Sequence, residues 1–222
     1  MAAAPFFLSF LLIFTLFSAS LAYDPDMLQD LCVANISSGV RLNGFPCKEE
    51  SNITAEDFFY DGISRRAFVN NSVGSVVRGA NVEKIPGLNT MGVSLSRIDF
   101  DRDGLNPPHT HPRATEMIFV LYGELDVGFI TTENTLYATR IKRGEVFVFP
   151  RGLVHFQKNN GDRIASVISA FNSQLPDLEK EKCGSDIMVT ETTEQCGRCN
   201  DGGGRIMMRQ KNDDDRIMVN AE

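Results

Sequence analysis

Read only for apolar and polar positions, the chain divides into unlike stretches. Residues 1–22 carry no charged side chain, and their run PFFLSFLLIFTLF is apolar but short for a bilayer span. Ser20-Leu21-Ala22 then offers a small-x-small cleavage site before Tyr23, which predicts a secretory signal peptide whose removal leaves no membrane segment. Further on, Met91, Val93 and Leu95 alternate with Gly92, Ser94 and Ser96, a period-two pattern expected of a strand with one wet face. After Glu116 the run MIFVLY, closed by Gly123, reads as a buried strand. Strands are also expected at 125–130, 136–141, 145–149, 155–158 and 164–171, separated by turn signals such as Thr131 to Asn134 and Asn160-Gly161-Asp162. Many short strands with Gly and Pro turns, and no long helical pattern, predict an all-β sandwich or jelly roll over residues 61–175.

Between these stretches, residues 23–60 form an N-terminal segment. Cys32 and Cys47 bracket a loop containing Gly39, Gly44 and Pro46; in an oxidising compartment they are expected to form a disulfide, worth roughly 3 kcal/mol for a loop of this length. Asn35, Asn52 and Asn70 each open an N-glycosylation sequon, in keeping with export. The aromatic cluster AEDFFYD at 55–61 reads as a segment docked on the barrel. From residue 176 to 222 the chain is acidic, rich in Gly and poor in aromatics, and repeats Arg-Ile-Met at Arg205 and Arg216; this predicts a poorly ordered tail. Cys196-Gly197-Arg198-Cys199 has redox-motif spacing but no strand-helix surroundings, and with Cys183 it reads as adventitious.

Composition changes this picture in two ways. A net charge of -7 argues against a phosphate-backbone partner, so nucleic acid is set aside. The chain also has only three histidines, His109, His111 and His155, and all fall within Gly104–Gly123 or Gly144–Asn159. In an extended strand the spacing of His109 and His111 puts both imidazoles on one face, and Pro107, Pro108 and Pro112 bar a helix. Glu116 opens the apolar strand beyond, and His155 opens a strand after the turn at Pro150 to Gly152. An isolated His-x-His is ordinarily a pair with everyday hydrogen bonds; the spaced Gly, Pro, Glu and third His favour a metal site instead. Three nitrogens with one hard carboxylate suit an octahedral Mn(II) or Fe(II) with open positions better than a closed zinc tetrahedron. Asn106 and Gln157 are pocket candidates that could orient the ligands.

The patterns Gly104-x5-His109-x-His111-x4-Glu116-x6-Gly123 and Gly144-x5-Pro150-x-Gly152-x2-His155-x3-Asn159 resemble the two motifs of the cupin superfamily. The text around them, IPGLNTMGVSLSRIDF, GLNPPHTHPRATE and FVFPRGLVHFQ, is similar to the plant germin-like proteins, a likeness running from about Asp24 to Pro176. The resemblance implies a jelly-roll β-barrel, manganese held by His109, His111, Glu116 and His155, the Cys32–Cys47 bridge and a homohexamer. The helical C-terminal segment that clasps neighbouring subunits in that family has no counterpart in the tail, so the hexamer is not read directly for this chain. Arg143-Gly144-Glu145 resembles a charged tripeptide displayed by germin-like proteins, and here it reads simply as a turn.

The resulting expectation is a secreted manganese glycoprotein of the apoplast, dismutating superoxide or acting on a small anion. A non-catalytic, metal-stabilised cell-wall or storage (nutrient reservoir) protein is the alternative. Oxalate-oxidising germins carry asparagines at two pocket positions; Asn106 matches one, but Ser96 stands at the other, which counts against that reaction.

Overall fold

The computed structural model describes residues 29–41 and 44–176, with the backbone alone of strands at 179–180, 204–209 and 216–221. The expected signal peptide at 1–22 and Cys183, Cys196 and Cys199 lie outside the described residues. Helix among the described residues is confined to short 3-10 turns at Glu50–Asn52, Ala55–Phe58 and Pro86–Leu88, none able to cross a membrane. The strands are β1 (Ser75–Ala80), β2 (Ser94–Phe100), β3 (Leu105–Thr110), β4 (Glu116–Tyr122), β5 (Glu124–Ile130), β6 (Leu136–Lys142), β7 (Val146–Phe149), β8 (Val154–Lys158), β9 (Ala165–Phe171), β10 (Glu179–Lys180), β11 (Gly204–Arg209) and β12 (Arg216–Ala221).

They form two antiparallel five-stranded sheets, ordered β1-β2-β9-β4-β7 and β10-β3-β8-β5-β6. The inner faces close on a core of Ile98, Phe100, Ile118, Val120, Leu125, Val127, Ile141, Phe149, Ala165 and Val167. This is the expected jelly roll; the strands read at 125–130, 136–141, 145–149, 155–158 and 164–171 fall within a residue of the observed bounds, whereas the alternation read at 91–96 belongs to a strand that runs from Ser94 to Phe100. Within residues 61–175 the pattern does not mark β1, because Ser-Val-Val-Arg-Gly-Ala lacks a clean alternation; nor does it mark β10, β11 and β12 in the tail.

The alternation at 91–96 is present, but its wet face is reversed. Ser94 and Ser96 are buried, whereas Met91, Val93 and Leu95 are exposed. Leu95 continues across the sheet in one outward row: Ala170 on β9 faces it, then Met117 on β4 and Val148 on β7. One end of this sheet's outer face is therefore apolar, while further along it carries the buried polar group of Arg97, Asp99 and Ser166; the inner face carries serines near one end.

The expected Cys32–Cys47 disulfide closes a loop within the N-terminal segment, and a small cluster of Ala34, Phe45 and Val82 packed by Leu88 and Leu175 joins that segment to the barrel. Asn89, fully buried, accepts from the Phe45 amide at 3.2 Å and donates to the Phe45 carbonyl at 2.8 Å. In the 55–61 segment Phe58 lies against Gly87, Asp57 is buried and paired with Lys48 inside the N-terminal segment, and Phe59 is exposed. Asn52 and Asn70 are exposed and Asn35 is half-buried, its side chain accepting from the Ser37 hydroxyl. In the tail, β10 adds to the edge of β3, and β11 and β12 pair as a ribbon that holds the two Arg-Ile-Met repeats. The remainder of the tail expected to be poorly ordered lies outside the described residues.

Two turn glycines separate backbone strain from crowding. Gly123, between β4 and β5, has φ +80°, and a Cβ there would lie 2.7 Å from the Ala165 Cβ and 2.8 Å from the Ile164 carbonyl oxygen. Gly144, between β6 and β7, has φ +86° but open space around it. In urea unfolding, Gly144→Ala should cost roughly 1–2 kcal/mol for the left-handed backbone alone, and Gly123→Ala roughly 2–5 kcal/mol once the clash is added.

Candidate metal centre

The prolines that exclude a helix also shape the site. Pro107 and Pro108 have no amide hydrogen to donate to a ladder, and the β3–β8 register shifts between Asn106↔Gln157 and His109↔His155, three residues on one strand against two on the other. In a regular strand Asn106 and His109 would face opposite sides; the bulge lets both face inward. His111 follows two residues after His109, and its carbonyl accepts from the Gly152 amide at 3.2 Å, which ties the ligand strand to the turn that leads into His155. Glu116, the first residue of β4, comes from the other sheet. The site thus straddles both sheets.

All four expected ligands come together and are buried, with relative exposures of 2% for His109, 5% for His111, 1% for Glu116 and 2% for His155. Their ligand atoms lie within 4.8 Å of one another. Metal–ligand bonds of roughly 2.0–2.6 Å place opposite ligands roughly 4.0–5.2 Å apart, so a single ion fits between them.

The hydrogen bonds around the rings determine what they offer. His109 Nδ1 lies 2.8 Å from the Pro107 carbonyl oxygen, and His155 Nδ1 lies 2.8 Å from that of Leu153. A carbonyl only accepts, so both protons sit on Nδ1 and each Nε2 keeps its lone pair. His155 Nε2 stands 3.0 Å from Glu116 Oε2, and His111 Nε2 stands 3.3 Å from the same oxygen. With no proton on His155 Nε2 an acceptor faces an acceptor, and the contact is favourable only with a proton or a cation between them. Phe149 stacks on His155 with centroids 4.5 Å apart, and Phe171 packs edge-on against His111 at 5.0 Å, so apolar walls limit both rings.

The charges agree with this arrangement. Burial pushes His109 down to about 4, assisted by the charge on His155 and opposed by Glu116, so the ring is neutral at neutral pH and free to coordinate. Burial alone would raise the Glu116 carboxyl, but hydrogen bonds from His111 and His155, made when a proton occupies Nε2 where a cation would otherwise sit, with the charges of His155 and His109, hold it below the usual carboxylate range.

Asn106 and Gln157 are buried as well. Asn106 Nδ2 donates to Gln157 Oε1 at 2.7 Å, which leaves Gln157 Nε2 buried with no partner. Ser96 Oγ is likewise buried without a partner. The sequence reading missed Ser169, whose hydroxyl donates to Glu116 Oε1 at 2.7 Å. The signal was there: Ala165, Val167, Ser169 and Phe171 alternate as the inward positions of β9, and Ser169 is the polar one among them.

Comparison with known proteins agrees with this geometry. The Cupin family profile matches residues 62–190. Germin-like protein subfamily 2 member 4 of Arabidopsis thaliana is 71% identical over 167 residues, 73% of this chain and 76% of the relative. The chain belongs to the germin-like cupins. Germin-like protein 5-1 of Oryza sativa subsp. japonica is 64% identical, covering 75% of this chain and 74% of its own. Among solved structures, a recombinant oxalate oxidase in complex with glycolate is 43% identical, with a TM-score of 0.68 over 71% of this chain and 80% of that one. The germin-like likeness thus spans the barrel that carries the four ligands.

The His109 shift sets a sign for pH dependence. Its folded pKa lies below the unfolded value of roughly 6.5, so the unfolded state binds more protons between the two, and the stability due to this group is full above pH 6.5 and lost as pH falls through 4. Metal-free wild type should therefore lose about 3 kcal/mol more than His109→Gln between pH 7 and pH 4, measured by urea unfolding.

Proposed function

We propose that this germin-like cupin is a secreted, manganese-binding glycoprotein of the apoplast that dismutates superoxide. The observation that carries the reading is the convergence of possible ligand atoms from His109, His111, Glu116 and His155 on one buried point, which a redox-capable cation would satisfy. Three imidazoles and one carboxylate match the preference of Mn(II), with Fe(II) as the alternative metal. When bound, such a metal supplies one-electron chemistry by cycling between two oxidation states. The chain's own part is to hold the ligands in fixed orientation, to keep the site apolar on the Phe149 and Phe171 sides, and to present Gln157 Nε2 and Ser96 Oγ as unengaged polar groups near a small anion. Ser96, at a position where oxalate-oxidising germins carry asparagine, disfavours oxalate as the substrate.

A second reading has its own support. With Glu116 at 1% exposure and joined to a strand of the opposite sheet, a metal here would clamp the two sheets together. That favours a metal-stabilised cell-wall or storage protein with no turnover. The outward row of Leu95, Ala170, Met117 and Val148 supports burial against a second copy, in line with a homo-oligomer.

Elemental analysis and superoxide decay of the purified secreted protein separate these readings. Wild type should carry about one manganese per chain, and His111→Ala should lose most of the metal and at least roughly tenfold in rate. Equal decay rates in both proteins would exclude the site as the source of activity; bound metal with a raised melting temperature and no turnover would establish the structural reading.

A further inference from the structure

The geometry points to Ser169 as the residue that positions Glu116, engaging one carboxylate oxygen and so fixing which oxygen a cation receives; this rests on the metal reading of the cluster. Ser169 is fully buried on β9, the strand between β2 and β4, in register with Ser96 on one side and Ile118 on the other. Its hydroxyl donates to Glu116 Oε1 at 2.7 Å, while Oε2 of the same group faces His111 and His155. A carboxylate can bind a cation through one oxygen or both, and rotation about its last bond is soft. The Ser169 hydrogen bond pins that rotation and engages Oε1, leaving Oε2 as the single donor. A cation then takes one position from Glu116 rather than two, and another stays open.

Position alone does not confer this role. Ser96 lies directly opposite Ser169 in the same inward layer, yet its hydroxyl has no hydrogen-bond partner. Partners beyond the first ligands typically change metal affinity roughly ten- to a hundredfold.

The test is Mn2+ titration of the stripped, full-length protein for wild type, Ser169→Ala and Ser169→Thr, with the melting temperature of each metal-free protein. Ser169→Ala should weaken Mn2+ binding roughly ten- to a hundredfold with little change in metal-free melting, and Ser169→Thr should restore most of the affinity. Unchanged affinity in Ser169→Ala overturns the inference, as does an affinity loss matched by a collapse in metal-free melting. Should Ser169→Thr not fold, Ser169→Ala is compared in a Glu116→Ala background: no further loss supports action through Glu116, and an additive loss overturns it. A wild type that binds no Mn2+ overturns the metal reading and this inference together.

Discussion

The site depends on an electrostatic constraint: several lone pairs are aimed at one point from which water is largely excluded. A buried acceptor without a donor costs free energy, and two facing acceptors cost more. His109 and His155 reach this condition because their Nδ1 protons are already engaged by the carbonyls of Pro107 and Leu153, each two residues earlier in the chain. The local His-on-strand geometry thus selects the tautomer, and the tautomer leaves two lone pairs that a cation could satisfy. Glu116 adds a negative charge to the same point, held ionised by the imidazoles around it.

The fold supplies this convergence by joining ligands from both sheets. His109 and His155 are register partners on β3 and β8, and Glu116 reaches them from β4 in the facing sheet. Phe149 lies opposite Glu116 on β7 and belongs to the main core, yet its ring also stacks on His155. Core packing and ligand orientation therefore share a side chain. Loss of ring packing there would be felt both as a cavity and as freedom in a ligand.

Much of this was legible in the sequence because the decisive features are local. Spacing of two between His109 and His111, and prolines at 107, 108 and 112, suffice to place two imidazoles on one extended face. The disulfide was legible from a short loop between Cys32 and Cys47. What was not legible depends on pairing between distant segments. That Asn106 faces inward follows from a bulge visible only against β8, and that Ser169 meets Glu116 follows from β9 lying beside β4. β1 was missed because its burial comes from neighbours and not from its own alternation.

The reversed face at 91–96 shows why hydrophobic alternation gives a period without giving a direction. A strand with one apolar and one polar face is ordinarily oriented by the core, apolar side inward. In β2 the inner positions nearest the site, Ser94 and Ser96, are polar, and the core side chains Ile98 and Phe100 begin only further along the strand. The apolar residue between the serines, Leu95, is left to the outside, where Ala170, Met117 and Val148 extend it into a row across the sheet. Both departures have one origin: this strand serves a polar pocket at one end of its inner face and, through Leu95 alone, an apolar row at the same end of its outer face, before Arg97 and Asp99 turn that face polar. Where inward slots turn polar and outward slots turn apolar together, the simple rule fails because two further partners, a ligand within and a surface without, enter the solvation balance.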